Sequence, residues 1–193
     1  MPIIHRKLLG SGLIARDFDT YANTDTSGTP SSGYPKSSDD PSVLNGATIS
    51  NRRTMTTVNI SQNTNADNET TTVVSGLFRP NETGTWDFRL RSDDAGYLWI
   101  GTNAEPLEWN LSLSNEFIDN GGVHGAANAD GSISLTSGIL YAFKAMVSER
   151  GGGFTFIIDF KGPSEGSLSN TARDGTGFFF HNPNATNGYN MDS

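Results

Sequence analysis

The chain contains no cysteine. A disulfide framework and a thiolate metal site are both excluded. It also lacks any apolar run near the roughly 20 residues that a helix needs to cross a bilayer. Its opening stretch, MPIIHRKLLGSGLIARDF, is basic but has no apolar core of the kind a secretory signal carries. Positive charge is scarce: 13 Lys and Arg stand against 21 Asp and Glu, for a formal net charge of −8. Nucleic-acid binding draws on clustered cations, so this balance argues against it. Apolar residues make up 34% of the chain, and their spacing nowhere produces a long amphipathic helix.

What remains is a chain of 193 residues rich in Gly, Ser, Thr and Asn. That length suits one domain with a real core, hiding roughly two-thirds of its unfolded surface. Many short strand-like runs separated by turns predict an all-β fold, an antiparallel, jelly-roll-like β-sandwich with long loops. Gly12–Phe18 reads as a first strand. Residues 20–45 carry no periodic signal and read as a long polar loop. Strand patterns return at 54–61 and 70–78, and Leu107, Trp109, Leu111 and Leu113 alternate over 105–115. Residues 119–130 read as loop, and the tail beyond 162 as loop apart from Phe178–Phe180.

The most informative stretch is GTWDFRLRSDDAGYLWIG, residues 84–101. Trp86, Phe88 and Leu90 alternate with Asp87, Arg89 and Arg91, the period of a half-buried strand. Ser92-Asp93-Asp94-Ala95-Gly96 interrupts with turn residues, and Tyr97–Ile100 resumes the pattern. This predicts a hairpin with two neighbouring carboxylates, Asp93 and Asp94, exposed at its tip. A second hairpin is expected from the alternating runs 139–147 and 154–160 around Glu149-Arg150-Gly151-Gly152-Gly153.

Catalytic constellations are weak. Gly162-Pro163-Ser164-Glu165-Gly166 matches G-x-S-x-G, with Asp174 and His181 downstream, but the segment that follows is no helix, as a nucleophile elbow requires. Asp93 and Asp94, being adjacent, cannot face each other across a glycosidase cleft. His5, His124 and His181 have no spaced partners for a metal. Sequons at Asn59, Asn68, Asn81, Asn110 and Asn184 are what so Asn- and Thr-rich a chain produces by chance. Tyr97, Trp99 and Trp109 offer a sugar-stacking platform, although aromatics at strand spacing more often serve the core.

The order of these segments resembles the anthrax protective-antigen-type domain, a β-sandwich found in bacterial toxins, glycosidases and yeast flocculin-like adhesins. Four pieces carry the resemblance: GLIARDF; GLFRPNETGTWDFRLRSDDAGYLWIG, with its Pro turn and Ser-Asp-Asp; Thr136–Tyr141; and Glu149–Ile157 with its Gly turn. They span about residues 10–162, leaving 1–9 as an arm and 163–193 as a loop-rich tail. In the adhesin branch, the resemblance implies that the paired Asp residues bind calcium, which bridges to sugar hydroxyls. Asp93 and Asp94 then take that role, with a third oxygen ligand from a late loop, for which Asp130, Asn128 and Asn120 are candidates. The implied metal set is Asp93, Asp94 and Asp130; the implied glycan contacts are Asp93, Asp94, Trp99 and Asn128. Calcium favours such hard oxygen ligands. The same Asp pair can instead hydrogen-bond its own turn.

These signals predict a non-enzymatic binding and adhesion module. The missing signal peptide, missing cysteine and small size point to a phage virion component, a capsid decoration, neck or tail-fibre protein made in the cytoplasm. Its expected partners are a glycan and other virion proteins or further copies of itself, with no nucleic acid and no membrane insertion. The alternative is a purely structural cement protein, gripping its neighbours through 1–9 and Phe178–Phe180, in which the Asp pair only shapes a turn.

Overall fold

The computed structural model describes residues 9–19, 48–62, 70–101 and 116–183. The polar loop over 20–45, the alternating run at 105–115 and all of the N-terminal arm but Leu9 lie outside these residues. The described strands are β1 (Gly10–Ser11), β2 (Leu13–Phe18), β3 (Ile49–Met55), β4 (Asn59–Gln62), β5 (Thr70–Phe78) and β6 (Gly84–Asp93). They continue with β7 (Ala95–Ile100), β8 (Ile118–Asn120), β9 (Ala127–Leu135), β10 (Tyr141–Glu149), β11 (Phe154–Lys161) and β12 (Phe179–His181). Every pairing is antiparallel. An eight-stranded sheet runs β1-β12-β5-β10-β7-β8, with β2 on β5 and β3 on β2; a four-stranded sheet runs β4-β11-β6-β9. The fold is therefore an all-β antiparallel sandwich, as the strand patterns predict. Among the described residues no helix is long and apolar enough to cross a membrane.

The two sheets are built from different sequence patterns. In the four-stranded sheet β6 alternates, placing Trp86, Phe88, Leu90 and Ser92 inward and Asp87, Arg89 and Arg91 outward. In the eight-stranded sheet β7 and β10 are buried along their whole length; β7 is an almost continuous apolar run, whereas β10 also buries Lys144, Ser148 and Glu149. Phe78 of β5 sits at the centre of the core, with the rings of Trp86, Phe88 and Phe160 edge-on at 5.3, 5.2 and 5.3 Å. Phe178 stacks on it at 6.0 Å and Phe179 lies at 5.8 Å, which explains how the tail is docked. Burying such a ring contributes roughly 2–3 kcal/mol from its apolar area.

The predicted hairpins are corrected by the topology. β6 belongs to the four-stranded sheet and β7 to the eight-stranded one, so the link at Asp93-Asp94 is a crossing between layers. The same holds for β10 and β11 around Gly151–Gly153. Alternation reports which face of a strand is buried, not which strand lies beside it. The change from alternating β6 to fully buried β7 is the trace of this crossing in the sequence. Gly96 is what lets the crossing close: a Cβ there would lie 2.6 Å from both Cβ and Oγ of Ser92. The run at 54–61 likewise divides, ending β3 in one sheet and starting β4 in the other. The expected loop over 119–130 contains the end of β8 and the start of β9.

Candidate functional site

The two crossings lie side by side. β6 pairs with β11, setting Asp93 opposite Thr155, and β7 pairs with β10, setting Ala95 opposite Ser148. Asp93, Asp94 and Glu149 are thereby gathered at one end of the sandwich, where the chain passes twice from layer to layer. The Asp93-Asp94 peptide bond is cis. Asp94 is 4% exposed. Its Oδ1 accepts the His124 backbone N–H at 2.9 Å and its Oδ2 that of Arg150 at 3.0 Å. One side chain thus ties the 121–126 loop and the 150–153 turn to the joint. Asp93 is half-buried and accepts the backbone N–H of Ala126. Glu149 is 2% exposed; its Oε1 accepts Gly151 N–H at 2.6 Å, and the Asp94 backbone N–H also acts on its carboxylate.

Three carboxylates so close, and so dry, resist ionisation. Burial raises Asp93 above the usual carboxylate range, against the pull of the Ala126 N–H. Burial raises Asp94 too; the Arg150 and His124 N–H groups oppose the shift and the charge of Asp93 adds to it. Glu149 is pushed up to about 7, chiefly by burial and then by the charge of Asp94. Among the described residues no Lys or Arg forms an ion pair with any of the three.

This donor set fits calcium, which takes six to eight hard oxygen ligands. An ionised carboxylate offers about four lone-pair positions, and Asp94 spends one per oxygen on backbone N–H. Among the described residues no three His, Asp or Glu side chains converge on one metal position. An ion held here would take its side-chain oxygens from the Asp pair, and backbone carbonyls and water would complete the shell.

The remaining sequence candidates lie elsewhere. Asp130 stands opposite Arg89 on the β6–β9 ladder and gives Oδ1 to Nε at 2.7 Å and Oδ2 to Nη2 at 2.6 Å. Ser92 pairs with Ala127, so Asp130 is three residues, or about 10 Å, further along the strand. Asn128 stands opposite Arg91 and donates through Nδ2 to Asn170 Oδ1 at 3.0 Å. Neither is brought to the Asp pair. Trp99 is 3% exposed and lies against the Tyr97 ring, centroids 6.0 Å apart, so it presents no open face to a sugar. Trp109 lies outside the described residues. Asn120 does reach the joint: its Nδ2 donates to Ser92 Oγ at 2.7 Å and to the Ala127 carbonyl at 3.1 Å.

The predicted exposed tip is corrected as well: Asp94 is sealed between the sheets because its link crosses layers rather than turning within one. The parts of the G-x-S-x-G reading are separately engaged, Ser164 Oγ on Glu82, Asp174 on Thr176 and His181 Nδ1 at the Gly12 carbonyl. Glu149 is the residue the spacing argument passed over. Tyr141, Phe143, Ala145 and Val147 face the core, and Glu149 is the next position of that parity. The part played by the His124 backbone has no counterpart in sequence pattern.

A family model described as the GLEYA domain matches residues 70–162. Sequence comparison with curated proteins gives no match. Among solved structures, the A domain of epithelial adhesin 6 from Candida glabrata, in complex with Galβ1-3GlcNAc, is similar with a TM-score of 0.66 at 14% identity, covering 91% of this chain and 89% of that one. The A domain of epithelial adhesin 9 from the same organism, in complex with Galβ1-4GlcNAc, gives 0.64 at 16%, covering 89% and 90%. The PA14 sugar-binding domain of an RTX adhesin gives 0.57 at 14%, covering 89% and 96%. At these identities the likeness establishes the fold, a PA14-type sandwich. Adhesin and lectin-like domains of this kind are non-catalytic.

These findings overturn the virion placement. The three similar structures named above are adhesin or sugar-binding domains, and none is a capsid decoration, neck or tail fibre. Virion proteins as partners and a phage particle as location fall with it. The residue types at the start of the sequence and the absence of cysteine say nothing about what the loops of a sandwich recognise, so they could not carry that conclusion.

Proposed function

We propose that the chain is a carbohydrate-binding adhesin module whose glycan site is the inter-sheet joint at Asp93 and Asp94, with calcium as its ion. The observation that carries this is the joint itself: neighbouring carboxylates, raised by burial and without an ion-paired cation, held in place by backbone N–H groups from two loops. A sandwich that needed only a turn here would be served by one partnered Asp, and burying a second carboxylate beside it is costly. The GLEYA match over 70–162 and the sugar complexes of similar structures support the same reading.

Bound calcium supplies positive charge and open coordination positions for vicinal hydroxyls. The protein's contribution is orientation. Asp94 is fixed by the His124 and Arg150 N–H groups, so the joint is organised before any sugar arrives. The half-buried Asp93 is the edge nearest solvent. The 121–126 loop and the 150–153 turn flank it, and their side chains and carbonyls are where sugar specificity would be written.

The test is a thermal melt in excess calcium and in EDTA, paired with a glycan array. A ligand that binds only the folded form at about 100 times its Kd stabilises it by about 2.7 kcal/mol. Calcium should raise the melting temperature of the parent and leave Asp93→Ala unmoved. Binding of galactose-terminated disaccharides, the sugars in the similar structures, should appear with calcium and vanish with EDTA. A parent melt indifferent to calcium, together with an array signal unchanged in Asp93→Ala, would refute the assignment.

A further inference from the structure

On the outer face of the four-stranded sheet, β6 presents Asp87, Arg89, Arg91 and Asp93 in one row. The first two charges are matched across the sheet. Asp87 accepts from Ser132 Oγ at 2.6 Å and pairs with Lys161 Nζ at 2.7 Å. Arg89 holds Asp130 through Nε and Nη2, and its Nη1 donates to the Ser169 carbonyl and to Asn170 Oδ1. The matching stops at Arg91. It stands opposite Asn128 on β9 and Ile157 on β11, neither of them an acid, and Asn128 turns its amide to Asn170. Among the described residues no hydrogen bond or ion pair holds the Arg91 guanidinium: Nε is buried without a partner, and the terminal nitrogens are open to solvent. The next outward residue is Asp93, two positions or roughly 7 Å along the strand. The charge of Arg91 acts on Asp93, although the two form no ion pair.

We propose that Arg91 is a specificity residue of the glycan site, taking an acidic substituent, a sulfate ester or a carboxylate, on a sugar whose hydroxyls meet the ion at Asp93 and Asp94. The inference rests on the calcium reading given above and adds the class of sugar. The buried Nε anchors the root of the side chain, so its two terminal nitrogens are presented rather than free to wander. Those nitrogens form one edge of a planar fork, which matches two oxygens of a sulfate or carboxylate. A neutral hydroxyl fills one position of that fork and offsets none of its charge. Long polyanions are disfavoured by the net charge of −8, whereas a single acid beside Arg91 is not. The spacing suits the role. Asp93 and Arg91 share a face and lie one strand repeat apart, so one sugar can span the ion and the guanidinium.

The test is a calorimetric titration of the full chain in calcium with lactose, its 3′-sulfate, its 6′-sulfate and 3′-sialyllactose. At least one acidic sugar should bind about fivefold or more tighter than lactose, the gain expected of a charge-assisted hydrogen bond. That preference should shrink at high salt. The sulfate and sialyl arms tell which acid is taken. Arg91→Gln should abolish the preference, and Arg91→Lys, which keeps the charge without the fork, should retain part of it. Both variants should keep the calcium-induced rise in melting temperature, which shows that they fold and hold the ion. Calcium-dependent lactose binding with no preference for any acidic sugar overturns this inference and leaves the calcium site standing. A preference that survives in Arg91→Gln, or a calcium response lost along with it, overturns the inference too. If no sugar binds in calcium, the glycan site and the role of Arg91 fall together.

Discussion

Strands β6 and β10 each run from one kind of interior to another. At one end lie Trp86 and Tyr141, beside the ring cluster around Phe78; at the other lie Asp93 and Glu149. The first end needs nothing but itself, since every ring gains by packing on the next. The second has buried carboxylates whose like charges repel and whose hydrogen bonds come from loop backbones. The same two strands thus carry a self-sufficient plug and an electrostatically incomplete joint. Stability is concentrated in the first, and the second is the proposed binding site.

Substitutions at each end test this division. Phe78→Ala, at the centre of the plug, should cost about 3–5 kcal/mol in chemical denaturation, while the surviving folded fraction keeps its response to calcium. Asp94→Ala should cost about 2 kcal/mol by stranding the His124 and Arg150 N–H groups, and it should also remove that response. If Asp94→Ala instead left stability untouched, the joint would not be the framework described above.

A pH series separates the ends further. Glu149 is raised from 4.5 to about 7 in the folded chain, so between those values the folded state holds more protons than the unfolded one. Stability in EDTA should therefore fall as pH rises from about 4.5 through about 7. Glu149→Gln should flatten that slope in denaturation midpoints measured across the range. The smallest effect belongs to Asp130→Ala. Loss of its exposed pair with Arg89 should cost roughly 0.2–1 kcal/mol and leave the calcium-dependent melt unchanged, since Asp130 lies away from the Asp pair.

Much of the layer structure was readable beforehand. Trp86, Phe88 and Leu90 alternate because β6 has one wet face, and Phe154, Phe156, Ile158 and Phe160 do so on β11 for the same reason. Asp93 and Asp94 stood out because two carboxylates in a tight link are chemically odd. Their surroundings were not readable. His124 and Arg150 lie 30 and 56 residues from Asp94 in the chain, and it is their N–H groups, which every residue type but proline has, that hold it. Asp130 and Asn128 looked suitable as late-loop oxygen donors, yet both fall within β9 and spend their side chains on Arg89 and Asn170.

The antiparallel strands, the faces they bury and the acidic pair that interrupts the longest pattern can all be read from residue order alone. These follow from side-chain alternation and residue chemistry, which are local. That the two expected hairpins are crossings between layers, that Glu149 joins Asp93 and Asp94, and that Asp94 is buried rather than displayed became visible in the folded chain alone. Those outcomes depend on which strands become neighbours, and a short link between two strands is compatible with either sheet until the core closes around it.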